Sequence, residues 1–145
     1  MPPHEPDRSA TTGRRLAAPP ARVLAAFTDP ARLARWWGPA GFTNTFEVCE
    51  PRPGGAWRYT MHGPDGKHYP NEARFVVVAP DEVVVEHLNA PRFVLTLALA
   101  PEAGGTRLTW TQTFETAALR DQLLAFVGPA NEQNLDRLEA EIARG

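Results

Sequence analysis

The side chains of this chain that could do chemistry are few, and most sit in runs that read as β-strand. His87 alternates with Val83 and Val85, which puts the three on one strand face. If that face is inward, the ring is a buried imidazole titrating near neutral pH, as a general acid or base must. On the outer face, or at a strand end, it is a hydrogen-bonded structural histidine, and no acidic partner is fixed by spacing. Gln112 lies between Trp110 and Phe114 on an apolar face; a buried amide needs partners, so it bonds either a ligand or the last helix. His62 and His68 flank the Gly63–Gly66 turn and can face each other across a hairpin, but no third ligand is evident and no metal site is expected. Glu47, Glu50 and Glu86 are strand carboxylates expected to face solvent. Cys49, the single cysteine, is expected to be a small buried hydrophobe and leaves no intrachain disulfide. Gly54-Gly55 and Gly104-Gly105 lie in turns with no helix after them, so neither is a phosphate loop. The only serine is Ser9, in the N-terminal tail.

The stretch from Trp36 to Met61 positions most of these groups. It opens with Trp36-Trp37-Gly38-Pro39, runs through Phe42 to Val48, turns at Pro51-Arg52-Pro53-Gly54-Gly55 and returns as Trp57 to Met61. Two alternating runs joined by a Pro/Gly turn predict an antiparallel hairpin. Phe42, Asn44, Phe46 and Val48 share one face, as do Trp57, Tyr59 and Met61. So much aromatic surface on one side makes either an ordinary core or the wall of a small-molecule cavity.

Around this hairpin the pattern is simple. Residues 10–17 form a weak first strand. Pro19-Pro20 and Thr28-Asp29-Pro30 open two short helices over 21–27 and 31–36, because proline suits a first helical turn. Four further strands are expected over 71–78, 82–88, 92–100 and 106–115. In the first of them Ala73, Phe75 and Val77 face one way and Arg74, Val76 and Val78 the other; the last shows the clearest alternation. Thr116 caps a closing helix whose apolar stripe (Leu119, Leu123, Phe126, Val127) is interrupted at Gly128-Pro129 and resumes with Leu135, Leu138 and Ile142. That proline predicts either one kinked helix or two in succession. Only this helix is long enough to cover the dry face of the sheet.

Four segments in this order carry a family resemblance: Ala18-Pro19; Phe27-Thr28-Asp29-Pro30 through Arg35-Trp36-Trp37-Gly38-Pro39; Arg52-Pro53-Gly54-Gly55-Ala56-Trp57-Arg58; and Glu132-Gln133-Asn134-Leu135-Asp136-Arg137-Leu138. Together they span about residues 12 to 143. The chain resembles the START-like, helix-grip (SRPBCC) superfamily, in its bacterial branch of homologues of the activator of the heat-shock-protein-ninety ATPase. The resemblance implies an α+β helix-grip fold, in which a curved antiparallel sheet wraps a long C-terminal α-helix, with two short helices after strand one. It also implies a deep pocket between sheet and helix for apolar or amphipathic small molecules. One departure stands out. Where the family often carries Gly-Trp just before the Glu-Gln of the last helix, this chain has Ala130-Asn131, which predicts a larger or wetter pocket.

On this reading Trp37, Phe42, Phe46, Trp57, Tyr59, Phe75, Phe93, Trp110, Phe114, Phe126 and Val127 give the cavity its shape, and Gln112, His87 and Asn131 give it polarity. The expected function is binding of a small hydrophobic or amphipathic ligand, with no cofactor. Two alternatives stand beside it. One is an enzyme of the superfamily's cyclase or hydratase type with His87 as acid/base; the other is a protein-interaction module, co-chaperone-like or homodimeric. The activators proper use an additional N-terminal domain for which these 145 residues leave no room, so co-chaperone function is not expected to transfer.

The bulk properties agree. The length suits one domain over residues 10–145, preceded by a polar, Pro-rich arm over 1–9 expected to be disordered. A net charge of −2 without a basic stripe gives no support to a nucleic-acid partner. No apolar run reaches the roughly 18 residues of a membrane span, and residues 1–10 lack a signal-type core, so a cytoplasmic protein is expected.

Overall fold

Proline and short polar side chains set the helix starts. In the computed structural model, which describes residues 7–144, Pro20 opens α1 (Pro20–Thr28) and Pro30 opens α2 (Pro30–Trp36). The Asp29 carboxylate caps α2, accepting from the Ala31 amide at 3.1 Å. Before them runs β1 (Ser9–Leu16); after them come β2 (Thr43–Cys49), β3 (Ala56–His62), β4 (His68–Ala79), β5 (Glu82–His87), β6 (Phe93–Glu102) and β7 (Gly105–Phe114). The Thr116 hydroxyl accepts from the Leu119 amide and starts α3 (Ala117–Ala143). Of the arm expected over 1–9, residues 1–6 lie outside the described residues, while Ser9 is already paired opposite Thr113.

The seven strands form one antiparallel sheet in the order β1-β7-β6-β5-β4-β3-β2. Chain neighbours pair as hairpins from β2 to β7, and β1 adds to the outer side of β7. The inner face packs against all three helices. Its core gathers Leu16, Val23, Leu33, Trp36, Trp57, Phe75, Leu97, Leu108, Leu135 and Leu138, all nearly inaccessible to solvent. Burying such side chains contributes about 1.5–3 kcal/mol each and is the main force holding helices to sheet.

Two register shifts correct the expected alternation. One falls between Phe46 and Val48, so that Cys49 rather than Val48 stands opposite Trp57 and packs on the core. The other falls between Phe75 and Val77, so that Val78 turns inward and Val77 no longer shares a face with Phe75. A bulge adds one residue and sharpens local twist, which lets long strands curl around a helix. The α3 helix is a single element running through Gly128-Pro129. Its C-terminal half is anchored by Leu135, Leu138 and Ile142, whereas in its N-terminal half only Val127 is fully buried. Arg14 of β1 ties it to the sheet edge through Glu132, Asp136 and Glu139 at 2.7–3.3 Å.

Candidate functional site

The inner face of the sheet is unevenly filled. On one part of it Trp57 packs in an aromatic stack, with ring centroids 4.5 Å from Tyr59 and 5.3 Å from Phe75, and with Phe46 edge-on at 5.5 Å. Phe114 joins Ala10 and Val127 in a second small cluster, with Leu119, Leu123 and Leu124 beside it. Between these packed regions the sheet and the middle of α3 border a cavity of about 910 Å³. That is at the upper end of the roughly 300–1,000 Å³ typical of small-molecule sites.

Ten of the predicted side chains border this cavity. Trp37, Tyr59 and Trp110 form its aromatic wall, and the Trp37 and Trp110 rings stack at 5.9 Å. Phe42, Phe93 and Val127 add apolar surface; His87, Gln112 and Asn131 are its polar members. Phe126 also borders it but is 70% exposed, a place at the mouth and not in the interior. Phe46, Trp57, Phe75 and Phe114 do not line the cavity; they build the packed regions that bound it. Asn71 was missed. It lies on the face of β4 that carries Ala73 and Phe75, so strand period alone could have placed it. The Pro91 segment, which follows β5 and closes over His87, carried no comparable signal.

His87 is buried and stacked on Phe93, with centroids 4.5 Å apart and planes 7° from parallel. Its Nδ1 lies 3.0 Å from the Pro91 carbonyl and its Nε2 lies 2.7 Å from Asn71 Oδ1, while Asn71 Nδ2 donates to the Tyr69 carbonyl at 2.8 Å. Burial pushes the imidazole below its ordinary pKa, against the pull of backbone hydrogen bonds at Pro91 and Asn89. Burial also raises the Tyr59 phenol, opposed by a hydrogen bond with Trp37, and lifts the Cys49 thiol to about 11. Asn131 Nδ2 donates to Gln112 Oε1 at 3.2 Å, so the last helix is the protein partner of that amide. The Trp110 indole N–H is buried without a partner among the described residues.

Charge is scarce on these walls. Among the described residues that line the cavity there is no lysine or arginine, and Asp65, on the β3–β4 turn, is the only carboxylate. His68 borders the mouth, with its Nδ1 2.7 Å from His62 Nδ1, and Thr45 Oγ1 lies 2.7 Å from His62 Nε2. The two imidazoles thus face each other as the hairpin register predicts. Among the described residues no group of three or more His, Cys, Asp or Glu side chains gathers as a metal cage.

The wall formed by residues 37–40 hangs from α3. Arg137 Nη1 donates to the carbonyls of Trp37, Gly38 and Pro39 at 2.9–3.1 Å, and Nη2 donates to Arg35 O at 2.9 Å. Asn134 Nδ2 donates to Trp36 O, and Gln133 Oε1 accepts from the Ala40 amide. From the sheet side Asn44 Nδ2 reaches Ala34 O and Trp37 O. Gly38 has φ +99°, and a Cβ there would come within 2.7 Å of Met61 Cε, so only glycine fits unstrained. The contacts from α3 are the work of the Gln-Asn-Leu-Asp-Arg segment singled out in the sequence.

A curved antiparallel sheet gripping a C-terminal helix over an internal cavity is the helix-grip arrangement. The chain belongs to the family described as Activator of Hsp90 ATPase homolog 1-like protein, whose model matches residues 17–143. A protein from Rhodobacter sphaeroides is 29% identical and superposes with a TM-score of 0.83, over 94% of this chain and 93% of its own. One from Arthrobacter aurescens is 26% identical with a TM-score of 0.86, over 95% of this chain and 87% of its own. A Nitrosomonas europaea protein, at 23% identity, shares the fold with a TM-score of 0.85 and 94% of each chain covered. No curated protein matches the chain. No helix among the described residues is long and apolar enough to cross a membrane.

Proposed function

We propose that this protein binds a small apolar or amphipathic molecule between the inner face of its sheet and α3. The observation that carries this reading is the cavity itself: about 910 Å³, walled by Trp37, Tyr59, Phe93, Leu95, Trp110 and Val127, and entered past Phe126 and Tyr69. Apolar walls of that extent favour a ligand that leaves water by burying its own apolar surface, at roughly 25 cal/mol per Å². Catalysis forms no part of this reading. His87 lies on the wall, where a cyclase- or hydratase-like acid/base would stand, but both its nitrogens already face protein acceptors and no carboxylate hydrogen-bonds to it among the described residues. The interaction reading has less to rest on. The outer sheet face carries the Arg74–Glu86–Arg92 and Arg107–Glu102 ion pairs and hydrogen-bonded threonines, with Val76 and Val94 as its exposed large apolar residues.

The test is saturable binding of the neutral dye Nile red. Wild-type protein is expected to bind it with 1:1 stoichiometry, and Val127→Trp, which fills the cavity beneath α3, is expected to lose at least about tenfold in affinity. Val94→Thr on the outer face should change nothing. Binding that survives Val127→Trp unchanged, or is lost in Val94→Thr, would place the dye elsewhere and overturn the reading.

A further inference from the structure

The polar groups of the cavity fall into two sets, and only one is open to a ligand. His87 and Asn71 face each other and the carbonyls of Pro91 and Tyr69, so the polar atoms of that set are turned to protein groups. Gln112 and Asn131 are different. Gln112 is 8% exposed, set on β7 opposite Leu95 and Ala10, and its one side-chain hydrogen bond among the described residues is the acceptance from Asn131 Nδ2. Among the described residues its own NH₂ group is left without a protein partner, as is Asn131 Oδ1, and both residues border the cavity. Turning both amides over exchanges the roles of the two residues, yet one free donor and one free acceptor remain side by side. Both free atoms are open to the cavity, so a ligand that displaces water there without matching them leaves the pair unsatisfied, and one that completes it gains selectivity.

Charge narrows the class. No lysine or arginine borders the cavity among the described residues, so an anionic head would be desolvated there without a counter-ion, beside a site whose only carboxylate is Asp65. Building on the ligand-binding reading above, we infer that the Gln112–Asn131 pair selects a neutral amphiphile whose polar end both donates and accepts a hydrogen bond, such as an alcohol or a primary amide, over carboxylates and phosphates.

Competition against Nile red with three molecules that share one alkyl chain tests this. Dodecanamide donates and accepts, N,N-dimethyldodecanamide only accepts, and dodecanoate is charged. In the wild-type protein dodecanamide is expected to displace the dye at about tenfold lower concentration than either of the others. In Gln112→Leu, which keeps the apolar volume and removes the amide, the advantage over the dimethylamide should shrink to about twofold or less, each potency being taken relative to that variant's own affinity for Nile red. Equal potency of the two amides in wild type, stronger displacement by dodecanoate, or an advantage that persists in Gln112→Leu overturns the inference and leaves the cavity reading standing. Failure of Nile red and all three amphiphiles to bind would overturn both.

Discussion

His87 shows how a single side chain can be tuned by where its strand ends. It is the last residue of β5, buried against Phe93, and the chain that follows folds back so that the Pro91 carbonyl meets Nδ1. Burial disfavours the charged ring, so the folded state holds its proton less tightly than the unfolded chain, whose histidine titrates near about 6.5. The sign follows by linkage: the unfolded state takes up more protons, so this residue's contribution is fully present above about pH 6.5 and is lost as pH falls below it. Stability measured by urea unfolding between pH 8 and 5 should therefore decline below about pH 6.5, by at most about 1.4 kcal/mol per pH unit from this group. His87→Gln, which does not titrate, should flatten that part of the profile. An unchanged profile would place the pH dependence in other groups. Gln112 was legible at this scale, because a polar residue between Trp110 and Phe114 on a dry face must find a partner; which partner it finds depended on Asn131 arriving from α3.

At the scale of elements, α3 both roofs the cavity and holds one of its walls. Arg137 serves four backbone carbonyls between Arg35 and Pro39, and only the planar guanidinium fork can reach them together. Its partial burial lowers the guanidinium's pKa from the usual value, and an arginine side chain in a protein stays protonated. Arg137→Ala should cost about 2–3 kcal/mol in chemical unfolding, and Arg137→Lys should recover only part of it. Full recovery by lysine would mean that charge alone, not the fork, holds the wall. One turn further along the same helix, Glu141 ties α3 to α2, its carboxyl held below the usual carboxylate range by Arg35 at 2.8–3.0 Å and Arg32 at 3.2 Å. The helix continues through Pro129 because packing on either side outweighs the local cost of about 3 kcal/mol, from Leu119, Leu123 and Val127 before it and from Leu135, Leu138 and Ile142 after it.

Across the whole molecule, the order of elements was readable because hairpin turns and period-two alternation are local signals. The bulges after Phe46 and Phe75 were not, since an extra residue in one strand is defined only against its partner and by the curvature the sheet needs. The same divide runs through the site. Trp57 and Tyr59 alternate on one face, and the sequence treats them alike, yet Trp57 lies in the filled core while Tyr59 reaches the cavity. Which part of a sheet face a helix covers is decided by three-dimensional packing, which strand periodicity does not encode. Phe126 and Val127 show it on α3, where adjacent residues end at the exposed mouth and in the buried wall.

The central claim, that the space beneath α3 receives a ligand, is tested most directly by the four tryptophan indole resonances in a nitrogen–proton correlation spectrum during titration with Nile red. Trp37 and Trp110 line the cavity, whereas Trp36 is sealed in the core with its indole N–H donating to the Ala26 carbonyl at 3.0 Å. Shifts concentrated at Trp37 and Trp110, with Trp36 unmoved, are the predicted result. A spectrum in which the cavity tryptophans stay fixed while the dye binds, or in which all four move alike, would contradict it.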